Sequence, residues 1–187
     1  MPRLIEVVEY CADWPAFYEK EVERLRPVFG ASLAAMHHVG STSVPGLLAK
    51  QVIDILVEVI PGADIPGYYG QMEELGYDCR GECLDAEVPG TPGRYYFSQN
   101  RNGVRYSHVH VCNVGHEQIP EMLAFRDYLR EHAHEAKRYG EVKSRLARQF
   151  VYNNVEYMRG KHGLVEEMTR SATEWWRSTG RDQDIRG

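Results

Sequence analysis

Between His37 and Asp54 the chain collects residue types suited to holding a phosphate. The turn Gly40-Ser41-Thr42-Ser43 follows His37-His38-Val39, and Lys50 lies between the turn and Asp54. A Gly-Ser turn at the end of a strand offers backbone N–H groups and small hydroxyls to phosphate oxygens. Twelve residues separate Ser41 from Asp54, which is flanked by Ile53 and Ile55 in the most apolar run of the sequence. A carboxylate there needs a partner, because an isolated buried charge is expensive. A phosphate-and-metal site accounts for this spacing; a plain turn with Asp54 facing water accounts for it equally.

A second set of residues is Arg105-Tyr106-Ser107-His108-Val109-His110-Val111-Cys112. Alternation on a strand puts His108 and His110 on one face, converging on one place. The pair is suited to acid–base work or to ligating a metal, and His110 with Asp54 is the candidate metal pair. Two polar residues on the solvent face of an edge strand are the plainer alternative. Arg94 and Arg105, at the starts of expected strands, and Lys50 are candidate phosphate cations. Lys161 lies inside the helical stripe Met158, Val165, Met168, Ala172 and Trp175. A lysine so placed either snorkels to water or points into a polar pocket, which Tyr157, one turn earlier, would share.

These residues need elements to position them. Strand signals cover Ile5 to Glu9, Ser32 to Val39, Gln51 to Ile60, and roughly 94–99 and 104–113, the last two around the turn Asn100-Arg101-Asn102-Gly103. Helical periodicity covers about 14–29, with Asp13 as the expected N-cap and Glu21 as its one polar interruption. A shorter helix is expected over Tyr68 to Leu75, and beyond residue 117 three more near 117–131, 134–152 and 155–176. Arg126-Asp127 and Arg130-Glu131 read as ion-paired helix surface, and His132, His134 and His162 as solvent-exposed. Strands with helices first and helices only afterwards predict an α+β fold, a mixed sheet with flanking helices and a helical C-terminal half. The expected organisation is a single domain over 1–177 and a frayed tail over 178–187.

The string His38-Val39-Gly40-Ser41-Thr42-Ser43-Val44-Pro45-Gly46-Leu47, then Ala49-Lys50, then Ile53-Asp54-Ile55, closely resembles the GrpB family, a branch with the nucleotidyltransferase fold. The likeness continues through His108 to Val111 and Phe125 to Arg130, and reaches Tyr157 and Lys161. The resemblance implies that Gly40, Ser41, Thr42 and Ser43 hold the phosphates of a nucleoside triphosphate or related phosphorylated ligand. It also implies Mg²⁺ or another divalent cation on paired carboxylates, and transfer of a nucleotidyl group to an acceptor. In that pattern the carboxylates stand two residues apart on one strand, and here the second position is Leu56, with Glu58 about 7 Å further along. Two other functions follow from that departure. One is a binding protein for a nucleotide or anionic metabolite; the other is a phosphohydrolase working through His108 and His110. The alternation also resembles that of histidine-triad hydrolases, although Cys112 holds the third place.

Composition narrows the partners. The chain has 187 residues, 43% hydrophobic and 26% charged, enough to bury a core and unlike a disordered polymer. A net charge of −5 provides no overall basic field for nucleic acid, so a small phosphorylated molecule, a nucleotide first, is the expected partner. Cys11, Cys79, Cys83 and Cys112 form no C-x-x-C pair and read as reduced thiols of a cytoplasmic protein. No apolar run approaches the length of a membrane span.

Overall fold

The computed structural model describes residues 4–82 and 91–181. Five strands form one mixed sheet: β1 (Leu33–Val39), β2 (Ile53–Val59), β3 (Tyr77–Cys79), β4 (Arg94–Arg101) and β5 (Val104–Asn113). Their order is β1-β2-β5-β4-β3, with β2 and β5 parallel and every other pair antiparallel. The helices are α1 (Trp14–Phe29), α2 (Tyr69–Glu74), α3 (Gln118–Glu131), α4 (Ala133–Gln149) and α5 (Asn154–Ser178). The α+β class expected from the sequence is the class found, with the helices after β5 forming the C-terminal half.

The chain divides into two compact units. One comprises Asp13–Gly40 and Val52–Ile119 and holds the sheet with α1 and α2. Its strands have two unlike faces because successive side chains alternate. Ile53, Ile55, Val57 and Val59 share a face with Val109 and Val111, all essentially buried. Helix α1 packs on β1 and β2, contributing Val22, Leu25 and Phe29 to the core. Glu21, the polar interruption in that helix, is fully buried. It accepts hydrogen bonds from Arg24, from Arg101 at 2.7 Å and from the Tyr77 hydroxyl at 2.8 Å. Its charge is thus satisfied locally, as burial requires. The other unit comprises Met1–Ala12, Ser41–Gln51 and Pro120–Gly187. Val44, Leu47, Leu129, Ala136, Tyr139 and Met168 form one of its apolar clusters, and Ile5, Leu146, Ala147 and Tyr157 another.

Several local expectations are corrected. The segment Ile5 to Glu9 is not a strand; it makes one antiparallel bridge, Val8 to Ala49, and a hydrogen bond from Ile5 N–H to the Val151 carbonyl. Strand β3 follows Gly76 and has only three residues, too few to show alternation in sequence. Asp13 stands at the N-cap of α1 but makes no side-chain cap bond, because its backbone is already helical (φ −83°, ψ −13°). Helix α5 ends at Ser178, the first residue of the expected tail, and residues 182–187 of that tail lie outside the described residues. Cys11, Cys79 and Cys112 are thiols outside any disulfide, and Cys83 lies outside the described residues.

Candidate functional site

In the sheet unit, register assembles a polar face from short stretches of sequence. Opposite Asp54 on β2 stand Val39 on β1 and His108 on β5; opposite Leu56 stand His37 and His110. Strand β4 extends these rows with Ser98 beside His108 and Tyr96 beside His110. His108 Nδ1–H donates to Asp54 Oδ1 at 2.9 Å, with the two side chains 22% and 25% exposed. The carboxylate in the apolar strand therefore has its partner on the neighbouring strand. Parallel pairing brings the two residues together although 54 positions separate them. A second pair on the same face joins His37 Nε2–H to Glu58 Oε1 at 2.7 Å.

Gly40 packs directly against Asp54. Its φ is +67°, and a Cβ there would fall 2.3 Å from Asp54 Oδ2. Glycine is thus required twice, by the left-handed backbone and by contact with the carboxylate.

His110 is controlled by burial. Its Nδ1 is sealed from solvent without a hydrogen-bond partner, and its ring lies 5.3 Å from that of Tyr96. Desolvation pushes its pKa down to about 3, with Arg94 and His108 adding to the shift and Asp54 opposing it. The unfolded chain binds a proton at this histidine below about pH 6.5, whereas the folded chain does not until about pH 3. Stability contributed by neutral His110 is complete above the unfolded pKa. It declines as pH falls from there, by on the order of 1 kcal/mol per pH unit. Replacing His110 by Gln is expected to flatten the pH dependence of urea midpoints over that range; an unchanged slope would refute this assignment.

Arg94 and Arg105 lie on β4 and β5 of the same unit. Arg94, opposite Cys112 on the same face, donates from Nη1 to Gln118 Oε1 at 2.8 Å. Arg105 lies past an irregularity in the β4–β5 register, where it stands opposite Asn100, a residue with the parity of Ser98 opposite His108. Tyr68 and Tyr69 pack edge-on against Phe29 and Phe97 within the sheet unit.

The second unit holds the hydroxyl turn. Ser41 to Ser43 form a single 3₁₀ turn in which Thr42 and Ser43 are buried. Lys143 of α4, only 3% exposed, donates from Nζ to Ser41 Oγ at 2.7 Å and lies 4.2 Å from the centre of the Tyr139 ring. Arg130 of α3 donates from Nε and Nη2 to the Ser43 carbonyl at 3.0 and 2.7 Å. Burial lowers the Arg130 pKa, Arg126 nearby lowers it further, and Asp127 opposes them. Two cations thus meet one Ser-Thr-Ser turn.

Neither cation was among the sequence candidates. Arg130 is an exposed, ion-paired residue of the helix surface as expected, its partner Asp127 at 3.5 Å, and it holds the turn as well; Glu131 pairs with Arg181. The signal for Lys143 was present. It interrupts the stripe Ala136, Tyr139, Gly140, Leu146 and Ala147 at the three- and four-residue steps that singled out Lys161. Lys161 itself is half-buried. Tyr157 belongs to the apolar cluster around Leu146, with Lys50 Nζ 5.0 Å from its ring centre. His132 is corrected from an exposed residue to one stacked on Tyr128, whose carbonyl accepts from Nδ1 at 2.8 Å; His134 and His162 are exposed.

Fold and site together define an α+β protein whose five-stranded mixed sheet carries two histidine–carboxylate pairs, with a cation-lined hydroxyl turn in its helical unit. The family model described as "GrpB protein" matches residues 4–171, and the chain belongs to the GrpB family. It is 37% identical over 173 residues to the UPF0157 protein YqkA of Bacillus subtilis, across 92% of this chain and 48% of that protein. The chain therefore spans about half the length of that relative. Among solved structures it is similar to the conserved protein GrpB from Enterococcus faecalis, with a TM-score of 0.83 and 32% identity over 91% of this chain and 99% of that one. The Cid1 poly(U) polymerase aligns with a TM-score of 0.48 and 11% identity over 76% of this chain and 43% of that one. No helix of the described residues is long and apolar enough to cross a membrane.

Proposed function

We propose that this GrpB-family chain binds a phosphorylated small molecule, a nucleotide in the first instance, at the turn Ser41 to Ser43. The observation that carries the reading is the convergence of buried Lys143 on Ser41 and of Arg130 on Ser43. Placing an ammonium in a dry environment is unfavourable in itself. A phosphate oxygen accepting from Lys143 would form a charge-assisted hydrogen bond, strengthened by the low local polarity. A guanidinium held against the same turn adds to the positive potential there.

A second reading gives the sheet unit a chemistry of its own, on one specific observation. With Asp54 accepting from His108 Nδ1, the imidazole is fixed in orientation, and its Nε2 is the atom suited to exchange a proton. This supports phosphate-ester chemistry through an imidazole better than nucleotidyl transfer through paired carboxylates, since Leu56 holds the second carboxylate position.

Thermal unfolding with nucleoside mono-, di- and triphosphates in EDTA tests the binding reading. A ligand at about a hundred times its dissociation constant adds roughly 2.7 kcal/mol, or about 5–11 °C in a chain of this size. Ser41→Ala is expected to reduce that shift. No shift with any phosphorylated compound would refute the proposal.

A further inference from the structure

We propose that histidine N–H groups stand on this sheet face where the resemblance to nucleotidyltransferases would put a pair of divalent cations, so that the face works without a resident metal. The inference concerns the sheet unit and is independent of which ligand the hydroxyl turn accepts.

The residues themselves do not fit a metal pair. The strand position two after Asp54 is Leu56, fully buried and incapable of ligation. The strand's other carboxylate, Glu58, is four residues from Asp54, roughly 13 Å along an extended strand. The metals of a two-metal displacement site stand only about 3.5–4 Å apart. Each carboxylate is also engaged by an imidazole from a different neighbouring strand: Asp54 by His108 of β5, Glu58 by His37 of β1. Among the described residues, no three His, Cys, Asp or Glu side chains are grouped so as to hold a metal ion. The face therefore supplies its own donors to both carboxylates, one on each side of Leu56.

Exchanging the imidazole for a second carboxylate tests this. His108→Asp places a carboxylate directly opposite Asp54 in the parallel register, restoring the arrangement that demands a cation. The wild-type melting temperature is expected to agree within about 1 °C between EDTA and Mn²⁺. The His108→Asp variant is expected to melt several degrees lower in EDTA and to recover with Mn²⁺, while His108→Asn remains indifferent to the ion. A wild-type stabilisation by Mn²⁺ that Asp54→Asn abolishes would overturn the proposal. Should His108→Asp not fold, paramagnetic broadening of the wild-type histidine ring signals decides the matter. Sharp His108 and His110 signals at equimolar Mn²⁺ support the proposal; selective broadening of either, reversed by Asp54→Asn, overturns it.

Discussion

Lys143→Met is expected to leave the protein folded and to remove most of its affinity for phosphorylated ligands. Methionine approximates the lysine stem in length and shape without the charge. Replacing a buried ionic group by an apolar one of similar volume is often neutral or stabilising. Loss of the hydrogen bond to Ser41 Oγ works the other way, by about 1 kcal/mol, so the net change in stability is small. Ligand affinity responds differently. A hydrogen bond to a charged group contributes roughly 1.5–3 kcal/mol, so affinity falls about 10- to 100-fold. Urea unfolding and calorimetric titration of the same preparation separate the two effects. A variant that is strongly destabilised yet binds normally would assign Lys143 to the fold alone. Lys143→Arg tests geometry at constant charge.

Gly40→Ala is expected to be among the most destabilising single-methyl additions in the chain. The left-handed backbone alone disfavours alanine by about 1–2 kcal/mol. The added Cβ would also meet Asp54 Oδ2 at 2.3 Å and Asp54 Cβ and Cγ at 2.9 Å each. Two of these atoms lie near the strand backbone and cannot swing away as the end of a long side chain does. The carboxylate must therefore rotate, disturbing its bond to His108. A total loss of about 2–4 kcal/mol follows, within the range of mutations that combine strain with a disrupted half-buried pair. The readout specific to this contact is the nuclear magnetic resonance signal of His108, which is expected to move in Gly40→Ala. By contrast, Gly62→Ala, where φ is also positive but nothing lies within 4 Å, is expected to leave it in place. Equal behaviour of the two variants would contradict the proposed contact.

The difference between these glycines also shows what the sequence could and could not reveal. Turn chemistry marked Gly40-Ser41 as a break, and apolar patterning marked β2, β4 and β5, because those signals are local. The Asp54–His108 pair was legible only in part. Alternation put His108 and His110 on one face, but choosing between them required the parallel register of β2 and β5, set by distant residues. The His37–Glu58 pair depends on the antiparallel register of β1 and β2 and left no local mark. Lys143 and Arg130 were hidden differently. Helical charges are usually solvated, and only packing against the segment Ser41 to Gln51 buries Lys143, while Arg130 stays exposed and reaches the Ser43 carbonyl from the surface. Strand β3 was too short to announce itself, and the expected strand at Ile5 to Glu9 had the right residues without a partner strand to complete a ladder.

The central claim, a phosphate site at the hydroxyl turn, is tested most directly by calorimetric titration of adenosine triphosphate into the wild-type chain in EDTA, with inorganic tripolyphosphate as competitor. Saturable binding is predicted, weakened by tripolyphosphate and lost at least tenfold in Lys143→Met. Absence of saturable binding by any phosphorylated compound, or binding unaltered by Lys143→Met, would contradict it.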